Sequence, residues 1–249
     1  MGELRIPRED VDRWAISIQR KLMRPFPATT FVRADPSIST SDLIEVPHPF
    51  AGQKACEDVE IVGGMRRGLS TIGDVVMVVL PVYDEVIHDL AAPPSKAVRK
   101  TTLYDRKIAD LIEEGILTKV DRPSAKSLRF IPRAFEHVDG FTLDLFPADR
   151  MCFGNVVMAQ TGPFDFVNAM RHSRHADGVL PDGVRHSGGY LWKTRGDELV
   201  ERIPCRTERD YFIAAGVRYV QPEDRTLEAI QMLRAQIAAQ QPRTMAGSR

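Results

Sequence analysis

The chain has 249 residues, 43% hydrophobic and 27% charged, the balance of an ordinary globular protein, and it is long enough for one large domain or two small ones around a sizeable core. Its 34 Lys and Arg match its 34 Asp and Glu, so the formal net charge is zero. This excludes a nucleic-acid binder held by a global basic excess: any strand contact must come from a local basic patch or a protein partner.

Cys56, Cys152 and Cys205 are far apart, form no CxxC pair and have no His/Cys zinc spacing, which reads as reduced, buried thiols. The start, MGELRIPRED, is polar and lacks the apolar stretch of a secretory signal. The longest apolar run, Val75 to Val82, suits a buried strand and falls well short of the roughly 20 residues that span a bilayer. A cytoplasmic protein without a membrane partner is expected.

In chain order, residues 8–24 read as a helix, with Val11, Trp14, Ala15, Ile18 and Leu22 at helical spacing and Pro25 and Pro27 ending it. Residues 27–56, rich in Pro, Ser, Thr and Ala, read as a loop or small insertion. A short strand, Val59–Val62, stops at Gly63-Gly64. Arg66-Arg67-Gly68 follow, and Gly73-Asp74 opens the apolar run as a strand covered on both faces. A helix is predicted over 103–114, ended by Gly115, then strands near 127–131 and 141–146. Helices over 152–160 and 163–175 are separated by Thr161-Gly162, and the second would carry Arg171, His172 and His175 on its surface. Turn signals across 181–203 indicate a small antiparallel subdomain. A short helix over 210–215 and a last one over 223–240 precede a frayed end at 241–249.

Phosphoryl transfer from a nucleoside triphosphate needs a cradle for the phosphates, divalent cations and a positioned hydroxyl. Glycines at a strand end let backbone N–H groups approach phosphate, and carboxylates on adjacent strands hold hard cations. The chain offers these parts in order: Gly63-Gly64, then Arg67 as a fixed charge, then Asp74 at a strand start, then Asp144 inside the apolar segment Thr142–Phe146. A Gly-Gly turn, an Asp after Gly or an Arg pair carries nothing alone; the ordered combination carries the reading.

The run GGMRRGLSTIGDVVMVVLP resembles the signature of the DNA polymerase beta-like (family X) nucleotidyltransferases, where a glycine pair or Gly-Ser leads into xRRG and then GDxDxL. Downstream, FTLDLFPADRMCFGNVVMAQTGPFDFVNAMR is similar to that family's palm segment, and GYLW with TERDYFIAAGVRYVQPEDR to its ending, a short acidic helix followed by Y-x-x-P-E-x-R. The likeness covers roughly residues 57–76 and 138–225, and is greatest to short stand-alone members often carried by phages, which would place the protein in a host cytoplasm.

The resemblance implies an α+β fold: a mixed-sheet palm core with helices on one side and a small C-terminal antiparallel subdomain. It divides the chain into an N-terminal helix (1–26), the loop or insertion (27–56), the palm (57–175), a thumb-like subdomain (176–225) and a C-terminal helix with its tail (226–249). It implies that Asp74 and Asp144 are catalytic and bind Mg²⁺ or Mn²⁺. It implies that Gly63, Gly64, Arg67, Thr161, Gly162 and Arg171 bind the nucleotide.

Two departures stand out. Val76 occupies the position of the second metal carboxylate, and Ala159-Gln160 replace an aromatic pair that packs on the sugar in template-dependent members. With Val76 the protein supplies two carboxylates for two cations, so nucleotide binding can outlast chemistry. The expected function is metal-dependent transfer of a nucleotide to a hydroxyl, at a nucleic-acid 3′ end of DNA or RNA. The alternative is a catalytically impaired module that holds a nucleotide or a strand, and a third reading is transfer to a small molecule or protein.

Overall fold

The structure is a computed structural model that describes residues 5–33, 43–83, 102–120 and 127–240. Asp84 and Glu85, which follow the apolar run in the sequence, and residues 241–249 lie outside the described residues.

The chain opens with β1 (Ile6–Pro7) and α1 (Arg8–Met23), whose Val11, Ala15, Ile18 and Leu22 are buried as their spacing requires. Pro7 sits just before the first turn, and Glu9 and Asp10 lie where the helix dipole favours acids. The segment read as a loop contains an antiparallel pair, β2 (Thr29–Arg33) and β3 (Leu43–Pro47). β4 (Cys56–Val62) runs straight into the single-turn helix α2 (Gly63–Arg66). β5 (Thr71–Ile72) pairs with β1, and β6 (Asp74–Pro81) follows.

After α3 (Thr102–Glu113) come β7 (Leu117–Lys119), β8 (Leu128–Pro132) and β9 (Thr142–Pro147). The main sheet has five strands in the order β4-β6-β9-β8-β7. Its central pair, β6 and β9, is parallel and the other pairings are antiparallel, so the protein is an α+β chain built on a mixed sheet.

Alternation along β6 sends its side chains into two cores. Val75, Met77 and Val79 join the residues of α1 and α3, with Leu143 and Leu145 of β9 and Phe130 of β8. Trp14 packs its edge on Phe135 at 5.5 Å in this layer. Val76, Val78 and Leu80 face the other way, against Val62 and against Phe153 and Val157 of α4 (Phe153–Thr161). Thus α1 and α3 lie on one side of the sheet and α4 covers part of the other.

A third core, separate from the sheet, collects Met158, Phe166, Met170, Leu191, Tyr211, Phe212 and Leu233. It joins α4 to α5 (Phe164–Arg171), to the antiparallel sheet of β10 (Val184–Ser187), β11 (Tyr190–Arg195) and β12 (Glu198–Ile203), and to α6 (Glu208–Ala215) and α7 (Leu227–Gln240). The three-stranded sheet is the antiparallel subdomain its turn signals indicate. In α6, Thr207 and Asp210 form a reciprocal cap. At Gly154 a Cβ would overlap the Thr207 carbonyl, so α4 and the start of α6 meet backbone to backbone, and Gly154 N–H donates to Cys205 O at 2.8 Å.

The helix read over 163–175 is shorter. It ends at Arg171; His172 is extended, its Nδ1 2.7 Å from Asn168 O, and His175 belongs to a separate turn, Arg174–Ala176. The two histidines therefore do not share a helix face. His175 Nε2 lies 2.9 Å from Asp182 Oδ1.

Candidate functional site

β6 and β9 fix the two acids. Asp74 opens β6 opposite Thr142, and two residues on, Val76 is the direct partner of Asp144. Positions 74, 76 and 144 therefore share one face of the sheet, and the two acids are diagonal neighbours across a parallel pair. Asp74 is exposed at the mouth, whereas Asp144 is 4% exposed.

A buried carboxylate needs a partner, and Asp144 has one. Arg129, opposite it in the antiparallel register of β8, donates Nε to Oδ1 at 2.6 Å and Nη2 to Oδ2 at 2.7 Å. These hydrogen bonds are the leading reason that the Arg129 pKa is raised, and Asp74 adds a smaller electrostatic pull. Sequence reasoning missed Arg129. Its only signal was one arginine among apolar residues in Leu128–Pro132, which does not name its partner.

Gly63 and Gly64 begin α2, and Arg67 closes it. A Cβ added at Gly63 would stand 3.4 Å from Val76 Cγ2, so the turn faces the valine with room for little more than a methyl group between them. Arg67 donates Nη1 to Thr161 O, and a Cβ at Gly162, where φ is +72°, would come 2.6 Å from the same nitrogen. Burial is the leading influence lowering the Arg67 pKa, and Asp74 opposes it.

Thr161 is fully buried. Its Oγ1 donates to Val157 O at 2.7 Å and accepts from Arg66 Nη1 at 2.9 Å, so it braces the arginine pair against α4. Arg66 also pairs with Glu208 Oε2 at 2.9 Å. Glu208 receives Arg225 Nη2 on Oε1 at 2.6 Å and the Tyr219 hydroxyl on Oε2 at 2.7 Å. The closing Tyr219…Arg225 stretch thus clasps α6 and, through Glu208, the glycine turn.

Gly64, Arg67 and Asp74 line a cleft of about 290 Å³ together with Arg5, Arg129, Gly73, Gly140 and Thr142. Arg171 lies elsewhere. It lines a larger cleft of about 760 Å³ between α5 and β10–β11, with Arg185, His172 and His175, and its Nε contacts His186 Nδ1 at 3.2 Å. The two clefts share no lining residue. Of the eight sequence-predicted residues, the structure gathers all but Arg171 around one turn and one strand pair.

These residues do not fit a two-metal centre. Asp144 has both oxygens engaged by Arg129, Val76 offers no donor, and among the described residues no group of three His, Cys, Asp or Glu side chains is placed to hold a metal. The cysteines are buried, with burial pushing Cys56 and Cys205 up to about 12 and Cys152 to about 11, so their thiols are inert. No helix among the described residues is long and apolar enough to cross a membrane. No family model and no curated protein matches this sequence.

Proposed function

We propose that this chain is a palm-type nucleotide-binding protein of the DNA polymerase beta superfamily, in which binding of a nucleoside triphosphate outlasts nucleotide transfer. The observation that carries the reading is the convergence of Gly64, Arg67 and Asp74 on one cleft at the mouth of a parallel strand pair that also bears Asp144. The glycine turn supplies backbone N–H groups and close approach, and Arg67 supplies a fixed charge for phosphate oxygens. Thr161-Gly162 border Arg67 from behind the cleft and hold its guanidinium in place. The protein would work in the cytoplasm, with DNA or RNA reached through a local patch or a protein partner.

A second reading is transfer of the nucleotide to a hydroxyl at a nucleic-acid 3′ end. It is favoured by the placing of Asp74, exposed at the cleft mouth, on the same sheet face as Asp144, the arrangement in which a carboxylate can meet Mg²⁺ or Mn²⁺ arriving with the triphosphate. Calorimetric titration with ribo- and deoxyribonucleoside triphosphates, alongside a primer-extension and terminal-transfer assay, separates the two. Binding without extension supports the module; extension that is lost in Asp74→Asn supports the transferase. Absence of binding by every nucleotide tested would refute both.

A further inference from the structure

The cleft beside the glycine turn is lined by three guanidinium groups, Arg5, Arg67 and Arg129, and by one carboxylate, Asp74; with Asp144, which Arg129 holds, the formal charge of the five groups is +3 − 2 = +1. Asp144 does not line it; it lies beneath Arg129 and is 4% exposed. The guanidinium of Arg129 has five N–H groups, and Asp144 takes two of them. The Arg129 side chain is 38% exposed, against 6% for that of Asp144, so it reaches from the buried acid to the cleft surface. Val76, at the place of a further acid, adds no charge on that face.

A metal between carboxylates and a phosphate serves one electrostatic purpose: it sets positive charge between two negative groups. Arg129 is placed to do the same. It neutralises Asp144 on one side and lines the anion-sized cleft on the other, and it cannot dissociate or be chelated. We propose, on the nucleotide-binding reading above, that the cleft takes the polyphosphate of its ligand directly on guanidinium groups, without a divalent cation, Arg129 standing as a built-in cation beside Asp144. The ligand class is a polyphosphate or the triphosphate of a nucleotide. Guanidinium forks match phosphate oxygens in pairs, which suits such a contact.

Calorimetry on the intact chain tests this with inorganic triphosphate and a nucleoside triphosphate, each in excess EDTA and in Mg²⁺. The expected result is affinity in EDTA within about threefold of that in Mg²⁺ for both probes. Arg129→Gln should lose about tenfold or more of the EDTA affinity, and Mg²⁺ should restore most of it, because Asp144 then becomes open to a cation. Arg129→Lys keeps the charge and guards against a folding defect in the Gln variant: it should retain metal-free binding. Parent binding only in Mg²⁺ overturns this proposal and leaves the nucleotide-binding reading intact. An Arg129→Gln variant that is folded and binds like the parent in EDTA also overturns it. No binding of either probe under either condition overturns the nucleotide-binding reading itself.

Discussion

Val76 is the cross-strand partner of Asp144, and its side chain faces Gly63 across the space a Cβ there would fill. An apolar side chain thus occupies the ground between the acid and the glycine turn. Everything that distinguishes this cleft from a two-cation centre follows from that placement and from the arginine that holds Asp144.

Val76→Asp is expected to destabilise the chain in EDTA, because burying a second carboxylate beside Asp144 costs several kcal/mol unless it is paired. Mg²⁺ or Mn²⁺ should recover part of the loss, up to about 2.7 kcal/mol at a cation concentration a hundredfold above its dissociation constant. The recovery should grow when Arg129→Gln is added, since Asp144 is then released. Val75→Asp, which faces the α1 and α3 core, should lose stability with no recovery by either cation. Denaturant midpoints with and without metal decide it, and equal behaviour of the two single variants would sink the idea.

Arg67→Ala should weaken triphosphate binding by roughly 1.5–3 kcal/mol, the worth of a charge-assisted hydrogen bond. Arg67 also ties Thr161 to the turn, so calorimetry must be paired with a thermal scan. A change in melting temperature with unchanged affinity would make Arg67 a brace and remove it from the binding surface.

Glu208→Gln should cost about 3–5 kcal/mol in chemical denaturation, because Arg225 is left as an uncompensated buried charge. The side chains of Arg225 and Glu208 are 0% and 5% exposed. The Arg225 Nη1 atom already has no hydrogen-bond partner, so little is nearby to take over. A loss below about 1 kcal/mol, the scale of an exposed pair, would show that the clasp is not buried in solution.

Glu60 lies on β4 opposite Val78, on the same face of the sheet as Val76. Its pKa is raised, chiefly by burial, with Arg66 opposing and Asp58 and Glu208 reinforcing the shift. The folded state therefore holds the Glu60 proton more tightly than the unfolded chain does, and this contribution to stability is present at acid pH and lost as pH rises through the raised value. Glu60→Gln should remove that dependence and gain on the parent between mildly acidic and neutral pH. Parallel denaturant midpoints for the two proteins across that range would count against the shift.

Much of this fold is legible in the sequence because single periodicities decide it. The spacing of Val11, Ala15, Ile18 and Leu22 gives α1, and an unbroken apolar run gives a strand such as β6, covered on both faces. The pair β2–β3 was hidden because Pro, Ser and Thr in that stretch read as loop. The end of α5 at Arg171 has no glycine or proline to announce it. Gly63, Gly64, Arg67, Asp74 and Asp144 could be found by order alone, since glycine turns and acids at strand starts have local signatures. Arg129 and Glu208 could not. Each acts on a residue fixed by strand register or by helix packing, and neither register nor packing is written at the residue itself.

The clasp of Glu208 has a consequence for synthesis. On the ribosome, the turn carrying Gly63 and Arg66 is made well before Glu208 and Arg225, so until they are translated Arg66 has the Thr161 hydroxyl as its partner but not the carboxylate. A late segment thus completes the support of an early turn. A chain released before Glu208 would carry most of the cleft's side chains with their turn held through Thr161 alone.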